Sequence, residues 1–237
     1  MTIGRTTYPR IAIMAALATT ALSGPATPAS ADNPIVVELF QSQGCSSCPP
    51  ANAMLNRLAD RPDLLPLNFG VTYWDRLGWK DKFAHPAYIE RQWEYARSGK
   101  RGNVATPQFI INGKGVVTGS NARQLAQLIH GEDRPKSGPV ITVDGKRVRV
   151  AAGRAAAPAT VWLVRYDPRT RNVDIGRGEN SGRVLPHRNV VTGLRALGTW
   201  KGDAAVFDQP AFRDANERSA ILIQQGTGGR IIAAKKL

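Results

Sequence analysis

Cys45 and Cys48 are the only two cysteines in the chain, set three apart in the run Gly44-Cys45-Ser46-Ser47-Cys48-Pro49-Pro50. Two sulfurs at that spacing can trade a disulfide with a partner: one thiolate attacks, and the other resolves the mixed disulfide. A bridge kept only for stability should close a long loop. The chain-entropy estimate for a four-residue ring is roughly 2 kcal/mol, against about 4.7 kcal/mol for a hundred residues, so chemistry is the better reason for the pair. Cys45 is the expected nucleophile, because a helix beginning just after it would place partial positive charge and amide N–H groups near its sulfur. Cys48, one turn on, is the expected resolving thiol. Pro49 and Pro50 disfavour helical geometry in the residue before them, which leaves open how strongly Cys45 feels the helix.

Other residues are candidates around this centre. Glu38 lies inside an apolar strand seven residues before Cys45. Buried there, its carboxyl would have a raised pKa and could relay protons to and from Cys48; otherwise it points to the strand's wet side. Thr106-Pro107 is the second landmark, since X-Pro bonds are the common place for a cis peptide. Trp74, Asp75, Trp79, Lys80 and Asp81 form an aromatic and charged stretch. Trp74 and Trp79 either line a substrate groove or roof the fold, with Lys80 paired to Asp75 or Asp81. Soft thiolates also suit copper or zinc, but His85, His130 and His187 lie at no short ligand spacing from the cysteines. No metal and no cofactor are therefore expected.

The elements that must hold these residues follow from apolar periodicity. Ile35 to Phe40 reads as a strand, and Ala51, Met54, Leu55 and Leu58 as one face of a helix over about 49–60. A second strand spans 64–73. Pro86 to Ser98 is a helix with proline in its first turn and Gly99 past its end. Asn112-Gly113 is a hairpin turn, and a helix capped by Ser120 or Asn121 follows to about His130. The order is β-α-β-(insertion, α)-β-β-α. After a linker over 132–139 the pattern is of short strands, with hairpins at Asp144-Gly145 and across Gly226 to Gly229. This predicts a small mainly-β domain over 140–237 behind an α/β domain over 32–131. Glu179, Asn180, Ser181, Gly182 and Arg183, with Asn189 and Trp200, are its most distinctive residues, and polar loops of that kind usually hold turns.

The segments Val37-Glu38-Leu39-Phe40…Gly44-Cys45-x-x-Cys48 and Thr106-Pro107-Gln108-Phe109-Ile110-Ile111-Asn112-Gly113-Lys114 resemble the two matching segments of glutaredoxins. More fully, the chain resembles an uncharacterised family of secreted bacterial proteins with a thioredoxin-like fold, a domain family of unknown function. Its marks here are SQGCSSCPPA, YWDRLGWKD, TPQFIING and GENSGR…NVV…LGTWKG. The resemblance implies a thioredoxin-like α/β domain with a helical insertion. It also implies a redox site at Cys45 and Cys48, faced by a cis-Pro107 whose neighbour Thr106 offers its backbone to an incoming chain. It carries no settled reaction. The export signal, the insertion and the β region separate this chain from glutaredoxins, so glutathione use does not carry over.

Composition sets outer limits. Arg5 and Arg10, an apolar run from Ile11 to Leu22 and an Ala29-Ser30-Ala31 site read as a secretory signal peptide over 1–31. The run is too short and too interrupted to span a bilayer, so no stable membrane insertion is expected after cleavage. The location is then periplasmic or secreted, which argues against nucleic acid as a partner. The 237 residues carry a formal charge of +14, of which residues 32–136 hold +3 and residues 137–237 hold +9. A basic second half favours acidic partners or anionic surfaces. The sequence thus predicts an exported thiol–disulfide oxidoreductase acting on a protein disulfide, a dithiol substrate or a redox partner. The rival is a non-enzymatic scaffold, with a fixed disulfide or a metal-transfer pair, working through its basic β region.

Overall fold

The computed structural model describes residues 33–131, 138–210 and 214–237, with residues 1, 2 and 4. The expected signal peptide lies almost wholly outside the described residues, as does most of the 132–139 linker. β1 (Ile35–Gln41) and β2 (Leu64–Gly70) are buried along their whole length, as strands covered on both faces must be. They pair in parallel, Ile35 beside Leu64 and Gln41 beside Gly70, with α1 (Cys48–Leu58) crossing between them. A short 3₁₀ helix over Thr72–Leu77 ends the second strand earlier than its alternation suggests. α2 (Pro86–Ser98) has the expected bounds, and the His85 imidazole accepts the Ala87 N–H at 3.1 Å at its start. β3 (Gln108–Ile111) lies antiparallel to β1 and turns through Asn112 into β4 (Gly115–Thr118). α3 (Ala122–Gly131) is capped by Asn121, which accepts the Gln124 N–H at 3.0 Å.

Nine strands follow: β5 (Ile141–Asp144), β6 (Arg147–Val150), β7 (Ala159–Asp167), β8 (Arg171–Asp174), β9 (Val184–His187), β10 (Val190–Trp200), β11 (Ala205–Asp208), β12 (Arg218–Gln225) and β13 (Ile231–Lys236). The sequence predicts that this region packs as a small domain of its own. Instead, four of its strands extend the first sheet. The order β13-β12-β7-β10-β2-β1-β3-β4 is one eight-stranded mixed sheet, beside a three-stranded sheet β11-β6-β5 and the hairpin β8-β9. The seam is β10 against β2. Val190 pairs with Asn68, the Asn68 N–H donates to the Asn189 carbonyl at 2.9 Å, and the Asn189 side chain donates to the Pro66 carbonyl at 2.8 Å.

Side-chain alternation along β1 decides what each face meets. Ile35, Val37 and Leu39 pack with α1 and α3. Val36 and Phe40 point the other way, into a core shared by α2 (Tyr88, Tyr95), β7 (Val164, Tyr166), β12 (Ala220, Leu222) and β13 (Ile231, Ala234). The Ile231 N–H donates to the Asn112 carbonyl at 2.9 Å, so the two ends of the strand order approach each other and the sheet curls around α2. Gly113 sits at that closure with φ +73°, and a Cβ there would stand 2.2 Å from the Gly229 carbonyl oxygen; only glycine fits. The three-stranded sheet covers the other face of β7 and β12, with Trp200 fully buried beneath it.

The β8-β9 hairpin is held by a separate small cluster, Val173, Ile175 and Leu185 with Trp79 and Phe83. His187 is wholly buried there, edge-on to Phe83, and neither ring nitrogen has a hydrogen-bond partner among the described residues. Burial lowers its pKa from 6.5 to about 4. Because the folded value is depressed, the unfolded chain binds the proton first. Stability is therefore lost as pH falls from about 6.5 to about 4, by on the order of 3 kcal/mol in total, and levels off below. Urea denaturation of His187→Leu should show a stability gap over wild type that widens as pH falls through this window. A gap that stays constant with pH would contradict the assignment.

Candidate dithiol site

The chain leaves β1 at Gln41 and winds through two tight turns into α1. The Cys45 N–H donates to the Ser42 carbonyl at 3.2 Å and the Cys48 N–H to the Cys45 carbonyl at 3.1 Å. Pro49 and Pro50 follow Cys48 in the first turn of α1, where a backbone N–H would have no helical partner in any case. They do not displace the helix from the cysteines: it starts at Cys48 itself, with Ser47 as the preceding cap residue. Both sulfurs are free thiols, and Cys45 and Cys48 are 0% and 1% exposed. Ser46 and Ser47 between them are exposed, so Cys45 lies just beneath the surface.

The two sulfurs differ in what surrounds them. Cys45 accepts from the Cys48 thiol, the largest influence on it, and its sulfur stands 3.2 Å from the Ser47 hydroxyl and 3.5 Å from the Thr106 hydroxyl. Against the cost of burial, these donors bring its pKa down from 9.0 to about 6. Burial pushes the Cys48 thiol well up, and the neighbouring Cys45 charge adds to the rise.

Thr106 and Pro107 face the cysteines. Their peptide bond is cis. The Thr106 carbonyl is 3.9 Å from the Cys45 sulfur, and its hydroxyl is oriented by Trp74, whose indole N–H donates to Thr106 Oγ1 at 2.6 Å. That bond occupies a lone pair on the hydroxyl oxygen and leaves its proton for the sulfur. Trp79 serves the roof: its indole N–H donates to Gln43 Oε1 at 3.0 Å. Asp81 accepts the Gln43 N–H and the Phe83 N–H, both at 2.8 Å, and burial raises its pKa to about 6. Asp75 accepts the Asp81 N–H at 3.1 Å. Lys80 forms no ion pair with either among the described residues.

Glu38 is not a proton relay to Cys48. β1 has no wet side, and Glu38 shares the parity of Val36 and Phe40, facing α2 while α1 lies on the opposite face. Its carboxylate accepts from Arg91 Nε at 2.7 Å and from the Tyr95 hydroxyl.

Several groups at the site lie far away in sequence. Asn180, fully buried in the β8-β9 loop, donates to the carbonyls of Gln43 and Cys45, each at 2.9 Å, and accepts from Arg183 at 2.9 Å. Glu179 accepts the Ser46 N–H at 3.0 Å, and the Ser46 groups hold its carboxyl below its usual range. Gly178, at φ +80°, lets this loop lie on Trp79: a Cβ there would be 3.4 Å from the Trp79 Cβ. Asn52 and Asn56 of α1 both donate to the Pro186 carbonyl, at 2.6 and 2.8 Å. Gln92 of α2 donates to the Ala105 carbonyl and to Gln108, fixing the segment that carries Thr106. The signal for the loop was its dense polar run, Glu179 to Arg183; nothing local says that it reaches 135 residues back to Cys45.

A solved structure of protein AGR_C_4864 from Agrobacterium tumefaciens, a structural-genomics target, is similar at 30% identity and TM-score 0.72, covering 86% of this chain and 93% of that one. HBP35 of Porphyromonas gingivalis is similar at 13% identity and TM-score 0.55, covering 88% of this chain and 76% of that one, a likeness of fold alone. No curated protein matches. Residues 36–224 match the family described as "protein of unknown function (DUF1223)", and the chain belongs to that family.

Proposed function

We propose that this protein is an exported thiol–disulfide oxidoreductase whose dithiol sits in a thioredoxin-like frame. The observation that carries the reading is the split between the sulfurs: Cys45 brought down to about 6, Cys48 pushed up by burial. At neutral pH the nucleophile is ionised and the resolving thiol keeps its proton. The β1-α1-β2 unit, the β3-β4 hairpin and the cis Thr106–Pro107 bond beside the pair support the thioredoxin-like frame. The Ala29-Ser30-Ala31 site behind an apolar run supports export.

In the reducing direction the Cys45 thiolate attacks one sulfur of a partner disulfide. A Cys45–partner S–S bond forms as the partner's own S–S bond breaks, and the other partner sulfur leaves as thiolate. That thiolate takes the Cys48 proton. The Cys48 sulfur then attacks the Cys45 sulfur, forming the Cys45–Cys48 disulfide and releasing the second partner thiolate, which is protonated from solvent. Two electrons pass from the dithiol to the partner; the oxidising direction is the reverse. No cofactor enters. Thr106, Ser47 and the Cys48 S–H stabilise the thiolate, both as attacking and as leaving group, and Trp74 is a positioning residue for Thr106.

Access is the remaining requirement, because Cys45 is 0% exposed. The Glu179–Ser46 contact is the cheapest of the bonds holding the β8-β9 loop down, since it lies in solvent.

Three measurements test this reading. Equilibration of the mature protein with glutathione and dithiothreitol, read by thiol alkylation, should give a reversible Cys45–Cys48 couple, with a potential near about −120 mV marking an oxidant and near about −270 mV a reductant. Cys45→Ser should abolish it, whereas a pair that never cycles would assign the scaffold role. The pH profile of Cys45 alkylation should have its midpoint near 6, raised by somewhat under one unit in Thr106→Val through loss of one hydrogen bond of about 1 kcal/mol; an unmoved midpoint would remove Thr106 from the site. Glu179→Ala should raise the high-pH plateau of the same profile several-fold, because the plateau reads access to a fully ionised sulfur. An unchanged plateau would mean that the loop is no barrier.

A further inference from the structure

Arg183 apart, which bonds Asn180 beside the thiols, the basic surplus of the second half lies elsewhere, and part of it gathers at the other end of the sheet. A cavity of about 270 Å³ opens there, lined by Tyr166, Arg169, Arg188, Asn189, Arg218 and Lys236 along with Leu65 and Pro66. Leu65 and Pro66 pair with Val36 and Val37, at the start of β1, whereas the thiols follow its end. We propose that this cavity is a binding site for a phosphate-type oxyanion, inorganic phosphate or a phosphate monoester.

Four cations from four separate segments face the space, against one lining carboxylate, Asp60. Two of the four are walls. Arg188 makes a two-pronged pair with Asp60 at 2.6 and 2.7 Å. Arg169 makes another with Asp167 at 2.9 and 2.8 Å, with Asp214 4.0 Å away. The other two are uncommitted to any carboxylate bond. The Arg218 guanidinium has no ion pair or hydrogen bond among the described residues. Among the described residues Lys236 donates only to the backbone carbonyls of Arg61 and Pro62, at 3.3 and 3.2 Å. Burial depresses the Lys236 ammonium, and the like charge of Arg218 adds to this while Asp63 opposes it. Two cations held together in a partly enclosed space repel, and an anion between them turns that repulsion into two charge-assisted bonds.

The hydroxyl of Tyr166, whose ring is buried against the core, has no hydrogen-bond partner among the described residues and supplies a neutral donor on the same wall. A guanidinium, an ammonium and a hydroxyl suit an oxyanion with several acceptor oxygens and two charges better than a single carboxylate. The volume leaves room for an ester group beyond the phosphate, a water's share of liquid being about 30 Å³.

The test is calorimetric titration of the mature protein with inorganic phosphate and with glycerol phosphate, for wild type, Arg218→Ala, Lys236→Met and Lys201→Ala, the last removing a cation outside the cavity. Saturable binding is expected, weakened on the order of tenfold or more by Arg218→Ala and by Lys236→Met and left unchanged by Lys201→Ala. Binding of glycerol phosphate in solution assigns a free ligand. Co-sedimentation with phosphatidylcholine vesicles carrying phosphatidic acid, lost in Arg218→Ala, assigns the same group borne on a lipid. Far-ultraviolet circular dichroism and the urea midpoint report that each variant is folded, and Lys236→Met stands if Arg218→Ala does not fold. The proposal is overturned if neither phosphate binds saturably in either form, if succinate binds as tightly as phosphate, or if Lys201→Ala weakens binding as much as Arg218→Ala.

Discussion

A guanidinium with 2% of its side chain exposed sits in the core that α2 shares with the curled sheet, and a buried charge must be paired and bonded or it is ruinous. Arg91 meets that demand from both halves of the chain. Its Nε bonds Glu38 of β1, one terminal nitrogen bonds the Tyr95 hydroxyl, and the other bonds Gln224 of β12 at 3.1 Å. Its plane also lies 5.4–5.9 Å from the rings of Phe69 and Trp162. These partners fix the depth and rotation of α2. Gln92 is the next residue, and its hold on the Ala105 carbonyl and on Gln108 sets where Thr106 stands. The hydroxyl beside the Cys45 sulfur is thus located by an ion pair on the opposite face of the sheet. Such pairs are weak evidence for stability but serve geometry well, because every displaced partner leaves a charge stranded.

The chemistry of the site comes from unequal treatment of two identical side chains. Both thiols are buried, which by itself raises both pKa values. Cys45 escapes because its sulfur is the acceptor for three donors, one of them the other cysteine. Cys48 is the donor in that contact, and for it burial outweighs the Ser42 and Thr106 groups that favour its thiolate. The short stretch from Cys45 to the first residue of α1 therefore holds one thiol whose pKa is lowered and one whose pKa is raised. It also explains why the distant β8-β9 loop matters: Asn180 holds the carbonyls of Gln43 and Cys45, the peptides on which the geometry of the sulfur depends.

Local rules made much of this legible. Pro86 and Gly99 fix both ends of α2, Asn112-Gly113 fixes the β3-β4 turn, and the cysteine spacing with Thr106-Pro107 identifies the two segments that face each other. What was illegible needed the third dimension. β10 hides because its register shifts between Val191 and Gly193 and again between Ala196 and Gly198, which breaks the two-residue alternation by which a strand is recognised. Short apolar strands on either side of a linker look alike whether they form two sheets or one; the seam at Asn68, Val190 and Asn189 carries no sequence signature of pairing. Glu38 stands one parity step from the face that a relay to Cys48 needs, and β1 has no wet side for the other reading. A carboxylate in an apolar strand does mark a special site, but which face it serves depends on which helix covers that face, and only packing answers that.

Net charge offers a tempting alternative account of the Cys45 pKa, since a strongly basic protein should favour any thiolate. Distance removes it. The cations of the second half that gather in the basic cavity lie beside Val36 and Val37, and the strand from there to Gln41 spans roughly 15 Å before the thiol loop begins. That is close to two Debye lengths of about 8 Å at physiological salt. The influences that act on Cys45 are neutral donors at short range, with no cation among them. The ionisation of Cys45 is governed by short hydrogen bonds, which salt screens far less than it does the field of distant surface cations.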